Sequence, residues 1–161
     1  MKIKKSLLAL APAALAVVVA GCGGGNGGGA YGSAPPAAKS AGATVAVKAS
    51  KLGNLLVDAQ GRTLYLFEAD KTTASTCYSA CASIWPPLTT TGAAKAGSQV
   101  NASQLGATKR SDGKSEVTYH GHPLYYYAGD TAPGATTGQG LNQFGAKWYV
   151  VAPTGNKIDR G

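Results

Sequence analysis

Two stretches decide how this chain is read: TLYLFEAD at Thr63–Asp70 and PLYYYAGD at Pro123–Asp130. Both spell Leu-Tyr-x-aromatic-x-x-Asp, and their tyrosines, Tyr65 and Tyr125, stand sixty residues apart. Displacing the sequence by that interval lays VKASKLGNLLVDAQGRTLYLFEAD over ATKRSDGKSEVTYHGHPLYYYAGD without a gap. Gly53 then meets Gly113 and Gly61 meets Gly121. Glycines that recur at turn positions fix strand register, so the doubling reads as an internal duplication.

Each copy reads as a three-strand meander. The strand candidates are Thr44–Ala49, Asn54–Ala59 and Arg62–Glu68, then Leu105–Arg110, Ser115–Tyr119 and His122–Ala128. Gln60-Gly61 and His120-Gly121 stand where two-residue hairpin turns require positive φ, which glycine adopts at little cost. SDGK at Ser111–Lys114 is a further turn, Asp-Gly between β-prone runs. A last strand is expected at Lys147–Ala152, and Thr76–Ile84 has room for one or two helical turns.

A two-residue turn across Gln60-Gly61 sets Val57 opposite Leu64 and Leu55 opposite Leu66. Tyr65 and Phe67 then lie on the other face, opposite Leu56 and Asn54. In the second copy Val117, Leu124 and Tyr126 share one face, and Tyr125 and Tyr127 the other. Both faces carry large apolar side chains, so both need covering. One cover is the other copy; the second is the pair of loops that leave Asp70 and Asp130 and lead to Trp85 and Trp148. The expected fold is all-β, two pseudo-repeated antiparallel meanders forming a small sandwich or barrel, with a disordered lipidated tether ahead of it.

The chain's 161 residues suffice for one such domain and a tail. MKIKK is a basic leader, and Ser6–Ala20 is an apolar run too short to span a membrane comfortably. Val19-Ala20-Gly21-Cys22 fits a bacterial lipobox, which makes residues 1–21 a lipoprotein signal peptide and gives Cys22 a diacylglycerol and an N-acyl chain. Cleavage removes Lys2, Lys4 and Lys5, and with them three of the eight net positive charges. The remaining charge is scattered; together with export this argues against a nucleic-acid partner and for solvated surface charge. Residues 22–43, rich in Gly, Ala and Pro, bury too little to offset their own ordering and read as a tether. The folded domain is then 44–153, with repeat 1 at about 44–88, repeat 2 at about 104–152, and a tail at 154–161. Gly23 stands where an Asp would favour inner-membrane retention, so the outer membrane is favoured if the cell is Gram-negative.

The lipobox, the Gly-rich tether, LYLFEAD, CYSACASIWPPL and YYYAGDTAPGATTGQGLNQFGAKWYVVAP together resemble the bacterial secreted-repeat lipoproteins. That family is described as predicted lipoproteins with a Y-x-(F/W/Y)-x-x-D motif and has no assigned molecular function. The resemblance covers about residues 45–152. One departure stands out: the Cys pair follows only the first copy, with Thr137 in the Cys77 place of the second.

Three groups of residues could carry chemistry. Tyr65, Phe67, Asp70, Tyr125, Tyr127 and Asp130 would bind a sugar, cation or quinone in the functional reading. In the structural one the aromatics pack the loop-covered face, and each Asp caps the turn leaving its strand by accepting N–H bonds two or three residues on. A residue set used identically in both halves of a duplication is more simply a building device. Cys77 and Cys81, in an exported chain, default to a disulfide worth about 2 kcal/mol for so short a loop. The alternative is copper or thiol redox chemistry, which needs a His and often a Met, and the sole Met is Met1. His120 and His122 form a candidate metal pair, although the turn at Gly121 puts His120 at the bend.

No nucleophile with its base and no phosphate loop is visible; Gly134–Gly140 lacks the Lys such a loop needs and reads as a long flexible connection. Asn101-Ala102-Ser103 matches a glycosylation sequon by composition alone. The expected role is a non-catalytic binding or interaction module of the cell envelope, with no cofactor beyond the lipids on Cys22. Its partners would be the membrane, through the anchor, and an envelope protein or polymer. The alternatives are a redox or copper-handling accessory protein using Cys77 and Cys81 with a His and, with least support, a hydrolase of envelope polymers.

Overall fold

The computed structural model describes residues 42–160. The expected signal peptide, the lipidated Cys22 and nearly all of the tether lie outside the described residues. The elements are β1 (Thr44–Ser50), β2 (Gly53–Asp58), β3 (Tyr65–Phe67), α1 (Ala80–Ile84), β4 (Lys95–Ala96), β5 (Leu105–Lys109), β6 (Ser115–Tyr119), β7 (His122–Pro123), β8 (Asn142–Gln143) and β9 (Ala146–Val150). They assemble into three three-stranded sheets, ordered β2-β1-β4, β3-β9-β8 and β5-β6-β7. Hairpins β1–β2 and β5–β6 are the repeated antiparallel units of an all-β domain. The short β4 runs parallel to β1, and among the described residues the sheets do not close into a barrel.

The two copies turn differently at their second hairpin. Between β6 and β7, Tyr119 faces His122 across a two-residue turn in which His120 (φ 50°) and Gly121 (φ 84°) are both left-handed. That is the geometry preferred by tight hairpins. In the first copy Asp58 N–H donates to the Arg62 carbonyl at 2.9 Å and Gly61 N–H to the Asp58 carbonyl at 3.0 Å. The loop is therefore Ala59-Gln60-Gly61, three residues, with Gly61 at φ 78°. Asp58 Oδ1 holds this wider turn by accepting from Gln60 N and Arg62 N, both at 2.9 Å.

The extra residue corrects the expected register. Val57 faces Thr63, not Leu64, and Leu64 N–H donates to the Leu56 carbonyl. A slip of one residue exchanges the faces of a strand. Leu55 and Val57 accordingly pack with Tyr65 and Phe67, while Leu56 packs with Leu64 and Leu66. The expected pairs Val57–Leu64 and Leu55–Leu66 do not form. In the second copy the expectation holds: Val117, Leu124 and Tyr126 lie together, with Tyr125 and Tyr127 in the other cluster.

A second correction concerns the third strand of each meander, because the copies exchange their ends. β3 pairs with β9 of the second copy, Tyr65 opposite Val150, Leu66 opposite Tyr149 and Phe67 opposite Trp148. In the reciprocal exchange, Ala128 and Tyr126 donate to the carbonyls of Ile84 and Pro86, each at 2.8 Å, and Leu88 N–H donates to the Leu124 carbonyl at 2.8 Å. Between them Tyr65 and Tyr125 bond each other's backbones, N–H to carbonyl, at 2.9 and 3.0 Å. The expected tail is also part of the fold: Val151 bridges Lys157, and Ile158, 9% exposed, donates to the Val150 carbonyl.

Candidate functional site

The exchange brings the two motif copies face to face, and their polar atoms cross over. Tyr65 donates its hydroxyl to Asp130 Oδ2 at 2.6 Å, and Tyr125 donates to Asp70 Oδ2 at 2.6 Å. Each tyrosine thus bonds the carboxylate of the other repeat. The second oxygen of each Asp pins the loop beyond it. Asp70 Oδ1 accepts from Thr76 N and Oγ1 at 2.7 and 2.6 Å, and Asp130 Oδ1 from Thr137 N and Oγ1 at 2.8 and 2.6 Å. These partners lie six and seven residues on, well beyond the two or three of the expected Asx-type cap. Thr137 therefore stands for Thr76 rather than Cys77. Gly138 takes the cysteine's place, and its N–H points at the Tyr65 hydroxyl at 3.4 Å. Burial, with the adjoining carboxylate, holds both phenols well above the ordinary range for tyrosine.

The other motif aromatics enclose two tryptophans. Trp85 and Trp148 stack at 4.0 Å between centroids and 5° between planes. Phe67 continues the stack beyond Trp148 at 4.0 Å and 9°, and Tyr127 covers Trp85 at 4.4 Å. Tyr65 and Tyr125 meet the pair edge-on, Tyr65 at 5.3 Å from Trp85 and Tyr125 at 5.1 Å from Trp148. Edge-to-face contacts are the electrostatically preferred kind, so these rings complement the stacked faces. Both indole N–H groups are satisfied by Gln143, Trp148 at its carbonyl and Trp85 at its side-chain Oε1. Gly138 makes room, since a Cβ there would come within 2.7 Å of Trp85. The Gly134–Gly140 connection, expected to be flexible, is tied down at several points. Gly140 donates to the Trp148 carbonyl, and the Gln139 side chain bonds Val150 N and the Ile158 carbonyl.

Around Asp70, but not Asp130, a buried charge cluster has grown. Arg110 and Glu116 are paired at 2.7 Å with both side chains fully buried. Arg110 also donates to Ser75 Oγ and the Cys77 carbonyl, each at 2.7 Å, and Ser75 Oγ lies 2.7 Å from the Tyr125 hydroxyl. The scattered charge expected to be solvated thus includes an ion pair with no water contact. Burial pushes the Glu116 carboxyl up to about 7 against the pull of Arg110, whose guanidinium is divided among several acceptors. Glu116 Oε1 is buried with no hydrogen-bond partner among the described residues.

Cys77 and Cys81 are joined as a disulfide with their Cα atoms 5.2 Å apart, closing the loop into α1. In this state the copper reading lacks its thiolates. His120 sits exposed at the turn against Gly155, and His122 is half-buried, its imidazole held below the ordinary value by burial and by His120. Among the described residues no three His, Cys, Asp or Glu side chains gather as they would around a metal ion.

Two clefts occupy equivalent places beside the motif strands. One, of about 380 Å³, lies against Phe67, Asp70 and His122; the other, of about 220 Å³, against Tyr127, Asp130 and Arg62. Sixty residues separate each of these pairs, so His122 and Arg62 are counterparts. Asn156 and Lys157 of the folded-back end wall the first cleft. At the second, Arg62 lies over the Tyr126 ring at 4.0 Å and is held by Asp58 at 2.7 Å, with Pro86 completing the wall.

The sequence had singled out the motif residues, but not Ser75, Arg110, Glu116 or Arg62. The trace of Arg62, Arg110 and Glu116 in it is a charged residue on an otherwise β-prone stretch; Ser75 leaves none. A family model described as a secreted repeat of unknown function matches residues 46–89 and 106–152, one match for each copy. No curated protein and no solved structure matches the chain.

Proposed function

The chain belongs to the secreted-repeat lipoprotein family, whose description assigns no function, and on that premise we propose that it is a lipid-anchored, non-catalytic binding module of the cell envelope. The observation that carries this reading is the inward use of the motif. The hydroxyls of Tyr65 and Tyr125 and the carboxylates of Asp70 and Asp130 bond one another and their own loops. Groups so engaged build a surface; a general acid or base would need a face open to substrate. What they leave outward is the cleft of Arg62, Tyr126, Tyr127 and Pro86. Its guanidinium is still about half exposed and already oriented by Asp58 and Tyr126. A planar donor beside aromatic rings, fixed in advance, suits the mixed polar and apolar face of an envelope polymer or protein. Cys22 carries the lipid and residues 22–43 the span to the membrane, the outer one in a Gram-negative cell.

Two measurements test this. Cys22→Ala should abolish acyl labelling in cells and move the protein from the membrane fraction to the soluble one; retention in the membrane would sink the anchor. The mature protein should sediment with isolated envelope polymer or capture an envelope protein after cross-linking. Arg62→Ala and Tyr126→Ala should weaken that binding at least tenfold in protein that its melting curve shows to be still folded at the assay temperature; both lose some stability, because each side chain bonds the buried Asp58. Undiminished binding in both variants would refute the cleft.

A further inference from the structure

We propose that the aromatic core is a one-electron relay, in which a hole on the stacked Trp85–Trp148 pair passes to Tyr65 or Tyr125 as the phenol proton moves to Asp130 or Asp70. This activity is separate from the surface binding described above and uses neither the disulfide nor a bound cofactor. Indole and phenol are the side chains most readily oxidised by one electron when no thiol is free. Here four of them lie in unbroken van der Waals contact: the tryptophans at 4.0 Å, and a tyrosine edge against each at 5.3 and 5.1 Å. Parallel overlap of the indoles lets a positive hole spread over both rings, as a lone indole could not.

What sets the core apart from ordinary aromatic packing is the proton acceptor on each phenol. An oxidised phenol is a very strong acid, so tyrosine yields an electron easily only where its proton can leave at the same moment. Both hydroxyls lie 2.6 Å from a carboxylate oxygen, close enough for the proton to cross without rearrangement. At rest the proton stays put, because burial disfavours the phenolate. The gate opens only with oxidation.

The step balances. A radical oxidant removes one electron from the indole pair and leaves an indole radical cation. The phenol returns one electron to the indole and one proton to the carboxylate. The products are a neutral indole, a neutral tyrosyl radical and a carboxylic acid. Net charge before and after the internal step is the same. Asp130 is half-buried, whereas Asp70 is buried and reaches Arg110 through the Tyr125 and Ser75 hydroxyls, so the two branches differ in access to solvent and in nearby charge but not in the step itself.

The experiment is laser photo-ionisation of the mature protein, which creates the indole radical inside the core with no need for an oxidant to enter. Transient absorption should show the band of the indole radical cation decaying at the rate at which the tyrosyl band rises. Heavy water should slow that conversion at least twofold. Tyr65→Phe with Tyr125→Phe should slow it at least tenfold. Asp70→Asn with Asp130→Asn should do so as well, although every ring remains. Should either double variant fail to fold, the four single variants decide, each removing about half of the fast tyrosyl yield. A parent that forms no tyrosyl radical from the indole radical cation would overturn the relay. So would conversion indifferent to heavy water, or unchanged in the Phe or Asn variants.

Discussion

Tyr125→Phe removes one oxygen from a buried network, and the structure sets how much that should cost. The lost hydroxyl donates to Asp70 at 2.6 Å and lies 2.7 Å from Ser75, in a site where Asp70 is 5% exposed. A hydrogen bond to a charged group, with no water to replace it, is worth about 2–3 kcal/mol. For a domain of this size that lowers the melting temperature by roughly 10 °C. Tyr65→Phe is the internal control. Its hydroxyl makes the equivalent 2.6 Å bond, but Asp130 is half-buried and water can take the vacated place. That substitution should cost about 1 kcal/mol. Urea denaturation of both variants measures the difference, and a cycle with Asp70→Asn should show Tyr125 and Asp70 coupled by at least about 1 kcal/mol. If Tyr125→Phe is as mild as Tyr65→Phe, or milder, the crossed bonds do not carry the weight assigned to them here.

Three further outcomes follow from the same geometry. Glu116 binds its proton more tightly when folded, so its contribution to stability is full below the ordinary value of 4.5 and is lost as pH rises toward about 7. That loss is about 3 kcal/mol at 1.36 kcal/mol per pH unit. His122, held low by burial, tilts the profile the opposite way below 6.5, so the readable quantity is the difference between the profiles of parent and Glu116→Gln; parallel profiles would refute the assignment. Replacing Cys77 and Cys81 by Ser should cost about 2 kcal/mol. Mass spectrometry of the parent peptide spanning them should show a loss of two hydrogens; free thiols in the isolated protein would contradict the bridge. Gly138→Ala must displace Trp85 or Tyr127 and should cost about 1–3 kcal/mol by calorimetry, whereas an unchanged melting curve would mean the stack yields freely.

Strand positions were legible because each depends on local pattern. β1, β2, β5, β6 and β9 stand within a residue or two of where alternation and turn glycines put them. The register of the first hairpin was not legible, because Gln60-Gly61 and His120-Gly121 look alike while their turns differ by one residue. What separates them is Asp58, whose carboxylate organises the wider loop and whose aligned counterpart in the second copy, Thr118, cannot. The crossing of Tyr65 to Asp130 was hidden for another reason. A duplicated motif shows that two units exist and says nothing of which unit completes which. Arg110 and Glu116 read as surface charge because each has an ordinary polar neighbourhood in sequence. Only the folded loop from Ser75 to Cys77 supplies the partners that make their burial tolerable.

The exchange of ends between the copies has a historical consequence. A single copy would lack the strand that covers its motif, along with the carboxylate that its tyrosine bonds, so it could complete itself only against a second chain. Joining the two chains of a symmetric homodimer into one polypeptide would leave this arrangement. In a homodimer every substitution appears at both sites at once. A disulfide, an Arg110–Glu116 pair and a folded-back end stand beside only one of the two equivalent aspartates, so each was gained in one copy or lost from the other once the two copies could vary separately. The crossed tyrosines are what the two copies still share, and the asymmetric features are where they have parted.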